Sequence, residues 1–482
     1  MRMKSVKVNS ILNMLRMMLT VLVPLITFPY TSRIFGAEGT GQINFANSVT
    51  QVLALIASLG IYTYGIREGT KCRSDRNKLS SLAQELLSLN FVSTSIAYIL
   101  FFVLLFTVEE MKTSSKMLLL HSINIVFTGL GIDWIYGVEE DYGYITLRQI
   151  VIQSIQIALL LMFVHDRSDI YTWVLITVLC SSIGNILNVI LSHKYIDLFP
   201  IRVTWNTIKR HVMPVSIFFA TQLAGKAYLY IDTTMLGILS TDYAVGIYSA
   251  ATKINTILLT CFAAMYPVFL PRVVSTLNGC NHFVFLNNIF KVIIALALPC
   301  TIGLATLSYP IITVVAGDGF VDAATTMVIL APIVLLNTIT VGIQNLVLVP
   351  HSKEDMVFAG TAITAIINIV SSAMLVPHFN ENGAAIGSLI AELVNIIFSY
   401  GLMIRVDSRY KECFKGNLNY IVGAIIIGIY CTFIQILTTD NIICFIVGIL
   451  GSVCLYVLWL IFRKDEIWLE VKKNLKERKW RK

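Results

Sequence analysis

Charge is what this sequence has least of. Asp, Glu, Lys and Arg together make up 13% of its 482 residues, about half the share carried by an ordinary soluble domain. With 56% hydrophobic residues and a mean hydropathy of +0.76, the chain cannot cover a soluble core with polar surface. That shortage excludes a cytoplasmic enzyme, a disordered chain and a nucleic-acid reader, even at a formal net charge of +8. Paired cysteine motifs are also missing. The nine cysteines form no CxxC pair, which argues against structural zinc, a redox motif and a secreted disulfide scaffold. Cys72, Cys280 and Cys413 fall between apolar stretches and the other six within them, as small apolar fillers do. No GxxxxGK[ST], HExxH or GxSxG motif is present, so ATP hydrolysis by a phosphate loop, zinc proteolysis and serine hydrolase chemistry are excluded by those routes. No cofactor or metal is implied. The acidic runs Glu109-Glu110 and Glu139-Glu140-Asp141 sit in short polar connections and read as solvated loops.

What is present is hydrophobic length. Fourteen stretches of roughly twenty mostly apolar residues occur at 11–31, 43–63, 88–107, 117–138, 145–164, 171–191, 212–239, 246–271, 292–310, 324–349, 357–377, 383–404, 418–437 and 441–462. Stretches of that length are read as membrane-spanning helices, because a helix satisfies its own backbone in hydrocarbon. They are too long and continuous for the alternating strands of an outer-membrane barrel. The first contains Arg16 and lacks a small-residue cleavage site, so it reads as a span rather than a signal peptide. The fold class expected is an all-α integral membrane protein with 14 transmembrane helices.

Lys and Arg distribution sets the orientation. Of 36 basic residues, 29 fall on the side shared by both termini, four (Arg33, Lys112, Lys116 and Arg167) fall opposite, and Arg16, Lys226 and Lys253 lie inside stretches. By the positive-inside rule both termini are cytoplasmic. The basic connections, such as the run from Arg67 to Lys78, read first as topology signals attracted to anionic lipid headgroups. Outer connections are too short to hold a catalytic domain.

A faint repeat accompanies this pattern. GQINFANSVTQV from Gly41 aligns with GIYSAATKINTI from Gly246 at an offset of 205 residues, which carries the second stretch onto the eighth, as two six-helix halves would. The organisation expected is a lobe over 1–200, a second over 201–410, and an appended helix pair with a basic tail over 411–482. The last two stretches are almost wholly apolar and suit a lipid-facing pair.

Polar residues recur at helical spacing in five stretches: Asn9, Asn13, Arg16 and Thr20; Ser181, Asn185, Asn188 and Ser192; Gln222, Lys226, Tyr230 and Thr233; Ser249, Lys253, Thr256 and Thr260; and Thr361, Thr364 and Asn368. Single stripes fit helix-to-helix hydrogen bonding, whereas five together favour a shared aqueous cavity. Arg16, Lys226, Lys253, Asp133, Asp232 and Glu392 lie within stretches, and each would cost roughly 2.5–3.5 kcal/mol facing lipid at the bilayer centre. They therefore face inward. The cations suit an anionic ligand such as a phosphate or pyrophosphate, and Asp232, Glu392 and Asp133 are candidate coupling-ion carboxylates. Pro24 and Pro29, and Pro267 and Pro271, permit kinks. The line Gly383, Gly387, Ala391, Asn395 and Ser399 offers a close helix contact.

The opening NxLRMMLTVLVPLITFPYTSRIFGAEGTGQINFANS, with YIDTTMLGILSTDYAVGIYSAATKI and NGAAIGSLIAE later in the chain, resembles bacterial polysaccharide-repeat-unit flippases of the Wzx type. Their superfamily also holds lipid II flippases and multidrug and toxin extrusion (MATE) antiporters. The resemblance implies two six-helix lobes around a cavity and alternating access. It implies a non-enzymatic role in the bacterial inner membrane, passing an undecaprenyl-pyrophosphate-linked oligosaccharide from the cytoplasmic to the periplasmic leaflet for O-antigen, capsule or exopolysaccharide synthesis. A polysaccharide polymerase and a chain-length regulator are the implied protein partners. Arg16 and Lys253 match the cationic cavity positions of such flippases only approximately; Arg33 lies at the outer mouth, and Lys226 has no assigned counterpart. The rival readings are a MATE-like drug/cation antiporter, which calls for a carboxylate-rich cavity, and a membrane polymerase or glycosyltransferase, which calls for a sizeable outer loop.

Overall fold

The computed structural model describes residues 6–465 apart from 202, 278 and 280, with side chains described from residue 22 onward except at 221 and 224–229. Every regular element among the described residues is helical, and the chain forms two compact units, Met1–Gly246 and Ile247–Lys482.

In the first unit α1 (Val6–Ser58) carries the first two apolar stretches. It turns at Gly36, whose φ of 67° and ψ of −174° are open to a residue without Cβ. Pro24 and Pro29 lie inside α1, yet the non-helical residue in it is Gly36 rather than either proline. Next come α2 (Ile61–Lys71), α3 (Arg76–Thr107), the short α4 (Glu109–Thr113), α5 (Ser115–Gly129), α6 (Asp133–Val138), α7 (Tyr142–Phe163), α8 (Ile170–Leu191) and α9 (Trp205–Leu239). The Asp75 side chain caps α3, accepting from the backbone N–H of Asn77 and Lys78. Trp134 and Tyr136 of α6 are fully buried in a core with Ile61, Leu79 and Leu86. The seventh apolar stretch, on α9, packs against α1, α2 and α3 and so belongs to this unit.

The helix α10 (Asp242–Ala263) begins in the first unit and continues into the second. It stops two residues before α11 (Tyr266–Thr276), whose first turn holds Pro267, so here proline does coincide with a break. The remaining helices are α12 (His282–Thr306), α13 (Ser308–Val315), α14 (Ala323–Ile343), α15 (Glu354–Val406), α16 (Leu418–Leu437) and α17 (Asn441–Phe462). A single π-turn, Gln344–Leu348, extends α14. Two apolar stretches share α15, which turns back at Asn380 (φ 48°). The small-residue line on its second half is buried. A Cβ on Gly383 would sit 2.4 Å from the Leu375 carbonyl oxygen, and one on Gly387 2.6 Å from Ser372 Oγ, so the expected close contact is made with the first half of the same helix. Helices α16 and α17 pack on each other and on α12 and α13, with Ile425, Ile429, Leu450, Val453 and Phe462 exposed on their far faces.

The weak repeat has a physical counterpart. A Cβ on Gly41 would lie 1.7 Å from the Asp242 carbonyl oxygen, and one on Gly246 would lie 1.9 Å from the Ala37 carbonyl oxygen. Ala37 and Asp242 are themselves related by the offset of 205. The two contacts are the same contact made twice, in opposite senses, where α1 and α10 cross.

Among the described residues, ten helical segments are long and apolar enough to cross a membrane by length and composition.

Candidate functional site

The candidate charges fall in three kinds of place. Arg16 and Lys226 lie outside the residues whose side chains are described. Arg33 is exposed on α1, its Nη1 donating to the Pro29 carbonyl at 2.8 Å. Lys253 is half-buried on α10 in the second unit, and Asp232 is buried on α9 in the first. The threonines that share a stripe with Lys253 bond within their own helix, Thr256 to the Thr252 carbonyl and Thr260 to the Thr256 carbonyl. Thr361 and Thr364 do the same on α15. Much of the polar periodicity is thus satisfied locally.

Asp133 does not stand alone. It opens α6 with Arg148 Nη1 of α7 at 3.8 Å, and it accepts a hydrogen bond from Asn188 Nδ2 of α8. Arg148 also donates to the Gly184 carbonyl at 2.9 Å and lies over the Tyr144 ring. Tyr136 and Tyr144 complete the group, donating to the backbone oxygen and Oδ1 of Asn188 at 2.7 and 3.1 Å. Arg148 counts with the basic residues of the terminal side by charge distribution, but it lies three residues inside the stretch 145–164, and the structure pairs it with Asp133.

In the second unit Glu392 is 1% exposed. Asn337 Nδ2 donates to its Oε2 at 3.3 Å, and Oε1 has no partner among the described residues. Seven residues on from Asn337, Gln344 of the π-turn donates to Asn395 Oδ1 and Ser399 Oγ at 3.4 and 3.3 Å. The result is a polar ladder between α14 and the second half of α15, reaching the π-turn, a distortion found often at functional sites. On its α15 side, Glu392 is a candidate coupling-ion carboxylate, whereas Asn395 and Ser399 belong to the line expected to make a close helix contact. Asn337 and Gln344, seven residues apart on one face of an apolar stretch, carried a signal that was passed over.

The densest polar group was not anticipated at all. Glu85 of α3, 6% exposed, accepts two hydrogen bonds from Arg210 Nη2 of α9 at 2.9 and 2.7 Å. Its Oε2 also lies 2.8 Å from His211 Nε2. On the other side of the ring, the Tyr64 hydroxyl of α2 meets Nδ1 at 2.7 Å, and Arg210 Nε lies 3.2 Å from Nε2. Arg67 stacks over Tyr64 and Phe218 with its guanidinium carbon 5.4 and 5.0 Å from the ring centroids. Three helices are thereby tied at the basic end of the first unit by a carboxylate that a cation and an imidazole both serve. Nothing local in sequence announces it, since Glu85 and Arg210 are 125 residues apart.

The acidic trio is likewise no free loop. Glu139 lies 3.8 Å from Arg73 Nε, with its side chain 9% exposed, and burial pushes its carboxyl above the usual range. Arg73 Nη1 binds Glu140 at 3.0 Å, and the Tyr195 hydroxyl donates to Asp141 at 2.7 Å. Among the described residues no His, Cys, Asp and Glu group could hold a metal ion.

The fold has solved counterparts. It is similar to "Lipid II flippase MurJ, inward closed conformation", at TM-score 0.73 and 15% identity, over 95% of this chain and 99% of that one. An inward-facing multidrug resistance MATE transporter is similar at TM-score 0.56 and 10% identity, over 81% and 99%. Among curated proteins, "Putative O-antigen transporter" of Escherichia coli (strain K12) is 21% identical over 339 residues, 69% of this chain and 81% of that protein. The family model described as "Polysaccharide biosynthesis protein" matches residues 6–277, more than half of the sequence. This multi-pass helical membrane protein therefore belongs to the polysaccharide biosynthesis protein family, and its fold is that of the flippases and MATE transporters.

Proposed function

We propose that the protein is a flippase that moves an undecaprenyl-pyrophosphate-linked oligosaccharide from the cytoplasmic to the periplasmic leaflet of a bacterial inner membrane, without enzymatic chemistry, to supply O-antigen, capsule or exopolysaccharide synthesis. The observation that carries the reading is the coincidence of family with fold: a polysaccharide-biosynthesis match on a scaffold similar, over 95% of its length, to a lipid II flippase. Fourteen spans follow from the ten apolar segments if α1 with α2 is divided at Gly36, α15 is divided at Asn380, and α5 with α6 and α9 are each added as one. The basic bias then puts both termini in the cytoplasm. In repeat terms the lobes are 1–200 and 201–410, with 411–482 appended. The exposed apolar faces of α16 and α17 suit a polyprenyl tail.

In this mechanism Arg16, Lys226 and Lys253 neutralise the pyrophosphate during transit, and Arg33 receives it at the outer mouth. Of the carboxylates, Glu392 and Asp232 suit ion coupling by burial, while Asp133 is held by Arg148. A polymerase and a chain-length regulator would take the product onward. The MATE-like antiporter reading fits less well, because the family match is to polysaccharide biosynthesis and the described carboxylates do not form one group. Arg16→Gln and Lys253→Gln, each expressed at native level in a strain lacking the transporter, are expected to lower surface polymer at least tenfold by immunoblot. Full polymer from both variants would remove these cations from the mechanism, and drug resistance without a polymer phenotype would favour the antiporter.

A further inference from the structure

Helix α9 is held very differently at its two ends. Its far end runs on into α10, where Gly41 and Gly246 bring backbone against backbone. Its first two turns, about 50 Å away along a helix of 35 residues, rest on side chains. Between Trp205 and Met213 only Ile208 and His211 are buried, so this segment sinks little apolar surface into the core it shares with Leu82 and Leu86 of α3. What fastens it is polar: the contacts of Arg210 and His211 with Glu85 of α3, and the Tyr64 hydroxyl of α2 against His211. Contacts of this kind exchange for water at a small net cost once both partners can reach it. Arg210 is already 62% exposed, along the open cleft between the three helices.

The helix has a place to bend just beyond these contacts. Pro214 lies inside α9 and has no N–H, so the Arg210 carbonyl four residues back loses the donor that position would supply. Past the proline, α9 is pinned to α2. A Cβ on Gly60, at φ 70°, would lie 2.7 Å from the Phe219 nitrogen, and Arg67 stacks over Phe218. A lightly packed tip, a missing backbone bond and a pinned shaft thus follow one another along the chain.

We propose that the first two turns of α9 are a gate at the cytoplasmic end, pivoting at Pro214 and latched shut by Glu85 through Arg210 and His211. The direction of passage rests on the flippase reading. In its repeat terms α2 and α3 belong to the first half and α9 opens the second, so releasing the latch parts the halves at the end from which substrate loads, while the glycine crossing keeps the other end closed.

Ile208→Cys places a thiol beneath the gate, at a buried position. The full chain in neutral detergent is treated with a membrane-impermeant maleimide, and the labelling rate of each cysteine is read peptide by peptide by mass spectrometry. Native Cys180, buried on α8 of the same unit, reports general loosening. Adding Glu85→Gln should raise the rate at position 208 on the order of tenfold, equivalent to about 1.4 kcal/mol, and leave Cys180 unchanged. Adding Pro214→Ala, which restores the missing backbone bond, should lower the rate at position 208 by roughly threefold or more. An unchanged rate at 208 in either variant, or a rise there matched at Cys180, would overturn the proposal. Labelling needs no substrate, so surface polymer from strains carrying Glu85→Gln or Pro214→Ala tests the flippase reading separately: unaltered polymer beside the expected labelling would leave the gate standing and count against that reading.

Discussion

Gly246→Ala should be among the most damaging single-methyl changes the chain can suffer. The added Cβ would lie 1.9 Å from the Ala37 carbonyl oxygen and 2.6 Å from its carbon, which are backbone atoms that cannot rotate aside, so α1 and α10 would have to part. Overpacking of this kind typically costs about 1–3 kcal/mol, and a clash with backbone on both sides of a crossing puts this site at the upper end of that range. Gly41→Ala meets the Asp242 carbonyl at 1.7 Å and should behave alike. Because both changes force the same separation, the double variant should lose less than the sum of the two. Gly303→Ala is the internal control: its Cβ meets nothing within 4 Å, and in a helix interior it should be neutral or slightly stabilising. Thermal unfolding of the detergent-solubilised proteins, read by size-exclusion fluorescence, makes the comparison. A Gly246→Ala protein as stable as Gly303→Ala would show that the crossing is looser than described.

The second large effect is expected at Glu85. Truncation to Ala leaves Arg210 and His211 facing a void with their shared acceptor gone. Breaking a buried ion pair by removing one partner costs about 3–5 kcal/mol. Arg210 is 62% exposed on its side chain and can turn to water, so the cost here should fall at about 3 kcal/mol. Glu85→Gln keeps an acceptor for Arg210 and should cost roughly half as much, since a hydrogen bond survives the loss of charge. A triple change that also removes Arg210 and His211 in favour of apolar side chains should recover part of the loss, because no charge is then stranded and only the Tyr64 hydroxyl loses its partner. Equal stability for Glu85→Ala and wild type would mean that the pair contributes nothing to holding α2, α3 and α9.

Much of the helical plan was legible before any coordinates, for a reason particular to lipid: hydrocarbon forces long apolar runs to be helical, whatever their propensities. The apolar stretches are mostly helical, although those at 43–63, 117–138, 246–271 and 292–310 each cross a break between two helices, and the Gly383-to-Ser399 line is buried as a periodic small-residue face should be. The turn at Gly36 was less legible. Two prolines lie nearby, yet a proline inside a helix removes one backbone hydrogen bond without having to break the helix. The polar sites were half legible. Periodicity reports which residues share a face, and so it set Asn395 and Ser399 on one line, as a close helix contact and not as partners of Gln344. It says nothing about which foreign helix lies opposite, and so it missed Glu85, Arg210, His211 and Tyr64, where each residue is unremarkable in its own segment and the meaning lies in their meeting.

The reciprocal glycine crossing carries one more implication. A contact in which Gly41 meets Asp242 while Gly246 meets Ala37 has the form of an isologous interface, the self-complementary patch that joins two identical subunits about a two-fold axis. Here both copies of the patch lie on one chain, so the two halves of the crossing are held at one another's effective concentration and neither glycine can be enlarged without pressing on the carbonyl the other half presents.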